Sequence, residues 1–233
     1  MNFKKKFHFL ILQALVLPFL VNCSREEICS TQIYITPKQP LLKTLILQHD
    51  EKTGKYQAIS SIKPVNHNDG EIDFFHPYTW TQNGIINTRR CYLEFDMSSI
   101  KTNAIIDSAK LSLYYSTGQL NITTFPLKTH TGDNELMIQR VIEPWSAKDV
   151  DWVTQPNTSL KGVAYVESAK NETQDFLNIN VSAIVKAQHK TKNYGFCIRH
   201  KEEEPYKITL ITTFKEANPE RRPKLEIFYH EDK

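Results

Sequence analysis

The sequence predicts an all-β protein, an antiparallel β-sandwich with one or two short helices. Three observations carry that expectation. Beyond Leu41 most of the chain repeats with a period of two, in short runs enriched in Thr, Val, Ile, Tyr and Phe. Only one segment has helical spacing. No long helix is available to cross between parallel strands, so neighbouring strands must run antiparallel.

The elements follow in order along the chain. Lys43 to Gln48 alternates and meets a turn signal at Asp50 to Gly54, and Tyr56 to Ile62 is a second strand. Pro64 to Asp73 is a polar loop centred on Asn66 to Gly70. Thr88 to Phe95 is the strongest strand. It sets Cys91, Leu93 and Phe95 on one side and Arg90, Tyr92, Glu94 and Asp96 on the other. In Ala109 to Tyr115 the residues Ala109, Leu111, Leu113 and Tyr115 are in phase, so Leu93, Phe95, Leu111 and Leu113 are the expected core. Leu120 to Leu127, Gly162 to Val166, Asp175 to Ile179, Tyr194 to Arg199, Lys207 to Phe214 and Lys224 to Phe228 complete the strands. Val181, Ile184, Val185 and Gln188 recur at three and four behind Asn180 or Ser182 as a cap. That helix has about two turns, too few to be stable without packing.

The first residues are a separate story. Lys4, Lys5 and Lys6 precede an apolar stretch from Phe7 to Val21, which is short for a permanent membrane span. Cys23 stands at its end, with Glu26 and Glu27 just behind. This arrangement resembles a bacterial lipoprotein signal, although Asn22 replaces the usual small residue. The expectation is cleavage before Cys23, acylation of Cys23, and a lipid-anchored protein on the outer membrane facing the cell exterior, as in Bacteroidetes surface lipoproteins. Residues 1–22 are then the signal and 23–40 a tether interrupted by Pro37 and Pro40. Residues 41–233 form a single domain.

Charge and cysteine content narrow the function. The 29 Lys and Arg face 26 Asp and Glu, and loss of Lys4, Lys5 and Lys6 leaves 26 against 26. A neutral mature chain with no basic stripe gives no sign of a nucleic-acid partner. Cys29, Cys91 and Cys197 show no metal-ligand spacing, and Cys91 and Cys197 sit in strand-like runs as buried thiols rather than a bridge. Enzyme signatures are missing: there is no nucleophile elbow, zinc-protease helix or phosphate loop. No cofactor is implied. The oxygens of His67-containing loop residues Asp69, Glu71 and Asp73 would suit calcium, but not in the twelve-residue calcium-loop pattern, so no metal is assigned.

From Arg90-Cys-Tyr-Leu-Glu-Phe-Asp-Met-Ser-Ser-Ile100 through Ile105 to Tyr115, the chain resembles the DNRLRE family of extracellular domains. That family is related to archaeal disaggregatase and to one family of carbohydrate-binding modules. Glu143-Pro-Trp145 with Val150, Trp152, Gln155 and Pro156 is similar to the family's tryptophan-rich segment. Asn180 to Val185 is similar to its short helix, Asn193 to Phe196 to the next strand, and Phe214 to Glu216 with Arg222 to Leu225 and Tyr229 to its C-terminal signature. The resemblance implies a jelly-roll-like sandwich that breaks no bond and, in some members, binds acidic polysaccharide.

The expected function is therefore binding of an extracellular glycan or cell-envelope polysaccharide. The alternative is a structural or adhesion module with a protein partner. Trp145 and Trp152 frame a long loop and are read as pins to the core, although a sugar ring could stack on either. Trp80, with Tyr78 and His76, is the better glycan candidate, together with Lys63; Phe74, Phe75 and Trp80 would otherwise be a strand packed on the sandwich. Arg199, in the basic run Arg199-His200-Lys201, could hold an acidic chain, against the local repulsion of Glu202, Glu203 and Glu204.

Overall fold

The structure is a computed structural model and describes residues 41–48, 54–62, 74–116 and 129–231. The signal, the tether, Cys23, Cys29, Lys63, the loop from Pro64 to Asp73 and the strand expected at Leu120 to Leu127 lie outside the described residues. In chain order the strands are β1 (Lys43–Gln48), β2 (Gly54–Ser60), β3 (Phe74–Phe75), β4 (Tyr78–Gln82), β5 (Ile85–Phe95) and β6 (Ala104–Leu113). They continue with β7 (Leu136–Val141), β8 (Thr158–Val166), β9 (Phe176–Asn180), β10 (Phe196–His200), β11 (Lys207–Ile208), β12 (Ile211–Thr212) and β13 (Lys224–Glu231). One α-helix, α1 (Ser182–Lys190), and one 3₁₀ turn at Pro219–Arg221 complete the elements.

All registered pairs are antiparallel, and the fold is an all-β sandwich. The smaller sheet has the order β1-β13-β6-β9. The larger runs β11-β4-β5-β10-β7-β8, with β2 beside β5, and β12 pairs separately with β3. Side chains opposite one another across a ladder share a face. Ala58, Cys91, Ile198, Ile138 and Ala164 therefore line one side of the larger sheet, and they pack with Leu111, Leu225 and Ile227 of the smaller one. Leu93, Phe95, Leu111 and Leu113 are all at most 2% exposed. Burying each such side chain is worth about 1.5–3 kcal/mol. Helix α1 adds Ile184 and Val185 to the same core.

The structure differs from the pattern reading in four places. Strand β7 carries no alternation, because Leu136, Met137, Ile138, Gln139 and Val141 are buried whichever face they take. The run from Lys207 to Phe214 is not one strand: Ile208 pairs with Tyr78, and Ile211 pairs with Phe75 in the separate two-stranded sheet. The N-cap of α1 is Val181 rather than Asn180 or Ser182, with no side-chain cap bond. Asn180 Oδ1 instead accepts the Ser182 N–H at 3.1 Å, and Val181 goes into the core. Finally, β5 begins at Ile85 and β6 at Ala104, each several residues ahead of the alternating segment.

A second apolar cluster lies on the far side of the larger sheet. Tyr92 and Cys197 face each other across β5 and β10, on the side opposite Cys91, and pack with Ile59, Val141, Trp145 and Val150. Cys91 and Cys197 are thus buried on opposite sides of the sheet and form no disulfide with each other.

Candidate functional site

The residues expected to form a site fall in two places. Tyr78, Trp80, Asn87 and Arg89 lie on β4 and β5, where Tyr78 is opposite Arg89 and Trp80 opposite Asn87. That face points inward. His76 is 1% and Tyr78 8% exposed. Their rings stack at 5.5 Å, and His76 Nε2 accepts from Arg89 Nη1 at 2.9 Å, which puts the imidazole proton on Nδ1. Ser60 Oγ donates to Asn87 Oδ1 at 2.7 Å, and Asn87 Nδ2 donates to the Tyr78 hydroxyl. His76 and Tyr78 therefore brace the interior and are not open to an incoming chain. Trp80 is half-buried against Tyr206, whose ring stands edge-on at 5.1 Å and is 57% exposed. Lys63 lies outside the described residues.

Arg199 is on the other face. Opposite it on β7 is Met137, and opposite Met137 on β8 is Tyr165. Arg90, on the outward side of β5, and Arg199 both reach Glu203. Tyr165, Met137, Arg199 and Arg90 thus form a row across four neighbouring strands, roughly 14 Å from three spacings of about 4.8 Å. Tyr165 is 58% exposed at one end, with Lys201 Nζ 5.7 Å from its ring centre. At the other end the Arg90 guanidinium lies 4.8 Å from the Trp152 ring.

The polar part of the row is rigidly built. Arg90 donates to both Glu203 carboxylate oxygens, from Nε at 2.7 Å and from Nη2 at 2.6 Å, and to Gln155 Oε1 at 2.9 Å. The Glu203 bonds push the Arg90 pKa above its ordinary value. Arg199 Nε donates to Gln139 Oε1 at 3.2 Å. Glu203 is thus turned into the sheet and neutralised, and of the acidic run it is the exposed Glu202 and the side chain of Glu204 that face water. Lys201 pairs with Glu135 at 2.9 Å. Arg90, Arg199 and Lys201 are balanced by Glu203 and Glu135, with Glu202 also acting on Lys201.

The floor beneath Trp152 is structural. The Trp145 indole donates to Tyr194 O at 2.9 Å, and Lys55 Nζ bonds Trp145 O at 2.8 Å while lying 4.6 Å from its ring centre. Trp145 is 8% exposed, whereas Trp152 is only partly buried. Burial holds the Cys197 thiol up at about 11 and pushes the Tyr92 hydroxyl up as well, so neither is a nucleophile at neutral pH. No group of three or more metal-ligating side chains occurs among the described residues.

Tyr165 was not legible as a site residue. It is a lone aromatic in an edge strand, and only the register that sets it beside Met137 and Arg199 gives it a role. Residues 78–229 match the model of carbohydrate-binding module family 96. That segment includes every residue of the row. No curated protein shows a significant match to the chain.

Proposed function

The chain belongs to carbohydrate-binding module family 96, and from that premise we propose that it is a non-catalytic module that holds an extracellular glycan on the outer face of its larger sheet. One observation supports the placement: the row from Tyr165 to Trp152 presents aromatic rings at both ends and guanidinium groups between them, on a locked backbone. Aromatic faces cover the apolar faces of sugar rings, and the guanidinium and amide groups hydrogen-bond hydroxyls or carboxylates. In the same reading Cys23 is acylated, residues 23–40 are the tether, and the domain stands on the outer membrane facing outward.

The test is a glycan array followed by titration calorimetry on the strongest hit, with Tyr165→Ala as the variant. Tyr165 is exposed, so the fold should be unchanged while affinity falls about tenfold, or about 1.4 kcal/mol. Silence across acidic and neutral polysaccharides would defeat the proposal, and so would a hit indifferent to Tyr165→Ala. Mass measurement of the membrane-extracted protein tests the anchor, and an unmodified Cys23 would refute it. A second reading, adhesion to a protein partner, is favoured by β8, an edge strand with Leu160 at 76% exposure. It predicts protein capture that Leu160→Lys abolishes and no glycan binding.

A further inference from the structure

The turn after β10 reads Lys201-Glu202-Glu203-Glu204. Carboxylates on such a turn ordinarily stay in water. Glu202 and Glu204 do, but Glu203 does not: its side chain is 19% exposed and lies against the outer row. Its two oxygens take the Nε and Nη2 edge of Arg90 at 2.7 and 2.6 Å, and Oε1 also lies 3.5 Å from Arg199 Nη1. A bidentate carboxylate ligand would need that same edge of Arg90. A residue of the chain itself already fills it.

The other cationic groups of the row are also engaged. Arg90 Nη1 donates to Gln155 Oε1. Arg199 Nε donates to Gln139 Oε1 and Nη1 to the His200 carbonyl at 3.1 Å. Of that guanidinium only Nη2 makes no hydrogen bond among the described residues. Lys201 is held by Glu135 at 2.9 Å, with Glu202 beside it. Two strands from Arg199 the ring of Tyr165 is mostly open to water.

One amino group and one open aromatic ring suit a sugar hydroxyl and the apolar face of a sugar ring. A carboxylate would lose its water, find no free fork on Arg90 and stand beside the charge of Glu203. We propose that the row selects uncharged polysaccharide, and that Glu203 is the residue that rejects uronates, by occupying the carboxylate-binding edge of Arg90. The inference rests on the carbohydrate-binding reading of the row and narrows its ligand to neutral sugars.

Titration calorimetry of the protein with matched hexasaccharides tests it. The pairs are mannohexaose with hexamannuronate, cellohexaose with hexaglucuronate, and methyl-esterified hexagalacturonate with its free acid. Each pair keeps the ring and changes only the carboxylate. At least one neutral member should bind, with its acidic partner at least tenfold weaker. Glu203→Gln, which keeps an oxygen for Arg90, should tighten the acidic partner at least fivefold and change the neutral one less than twofold. In the wild-type protein, affinity for the acidic partner should hold or rise between about 20 mM and about 500 mM NaCl, because salt has no net attraction to screen. That readout needs no variant. An acidic member bound as tightly as its neutral partner, or an acidic affinity that falls threefold with salt, would overturn the selectivity and leave glycan binding in place. So would a Glu203→Gln protein that shifts both members alike, since Glu203 would then be only a brace for the turn. Silence from every pair would overturn it together with the carbohydrate-binding reading, so the two failures are told apart.

Discussion

Strand β5 meets two different environments on alternate residues. Cys91, Leu93 and Phe95 enter a core closed by a second sheet. Tyr92, between them, is equally buried at 1% exposure, but what covers it is the irregular segment holding Trp145 and Val150. The first face is sealed by regular strands in register. The second is sealed by an irregular segment held through the Trp145 indole bond, the Lys55 clamp, the bonds of Arg90 and Tyr92 to Gln155 and a few apolar contacts. The comparison teaches that equal burial does not mean equal cooperativity. The inner face should open only with the whole domain, whereas the outer one has the features of a unit that opens at lower cost.

The strongest test of the inner face is Leu93→Ala. Its side chain is 2% exposed between the sheets, and truncation should cost about 2–5 kcal/mol, read as a lower denaturant midpoint with an unchanged slope. A loss below about 1 kcal/mol would mean that this face is no more tightly closed than the outer one.

Acid offers a second and somewhat smaller lever. His200, opposite Leu136 and 1% exposed, has its pKa lowered to about 3 by burial, with Lys207 adding to the effect. His130 is likewise lowered by burial, and its Nδ1 accepts the Leu210 N–H at 3.1 Å, a bond that a proton would break. Both groups are neutral when folded, so the unfolded chain binds more protons once pH falls below about 6.5. Stability is therefore full above that pH and declines toward about 3 for His200. By pH 5 the His200 contribution alone should cost about 2 kcal/mol. Thermal unfolding at pH 7 and pH 5 measures it, and His200→Gln should flatten the difference. A wild-type protein equally stable at both would show that these rings are reached by water.

How much of this was legible depends on which element buries a residue. Leu93, Phe95, Leu111 and Leu113 were readable because each alternates against a polar neighbour in its own strand. Trp145 stood out as a pin, but the second core did not, since its cover has no period and Tyr92 shares its side of β5 with Arg90 and Glu94. Strand β7 escaped notice because burial on both faces removes the alternation. In the candidate site, Arg199 was singled out, while Tyr165 and the Arg90–Glu203 fork needed the register of four strands. Trp80, Tyr78 and His76 are neighbours in sequence, yet the fold buries His76 and Tyr78 and leaves Trp80 half-buried against Tyr206. Gln188, a polar residue in the buried stripe of α1, makes a structural bond, donating from Nε2 to Gly195 O at 2.8 Å.

The smallest effect probes the seam between the two faces. Trp145→Phe keeps most of the ring and loses the indole N–H bond to Tyr194 O, worth about 1 kcal/mol. The denaturant midpoint should fall only by the equivalent of that one bond. What should change is access to Cys197, which is 1% exposed beneath this segment and, with its thiol held at about 11, reacts only when uncovered. Labelling with a small maleimide, followed by peptide mass mapping, should show Cys197 reacting several-fold faster in the variant and Cys91 unchanged. Cys91 faces the inner core and shares β5 with Tyr92, so it is the internal standard. Equal acceleration at both thiols would mean that the cover and the sandwich open together, and the two faces would then be one cooperative unit despite their different construction.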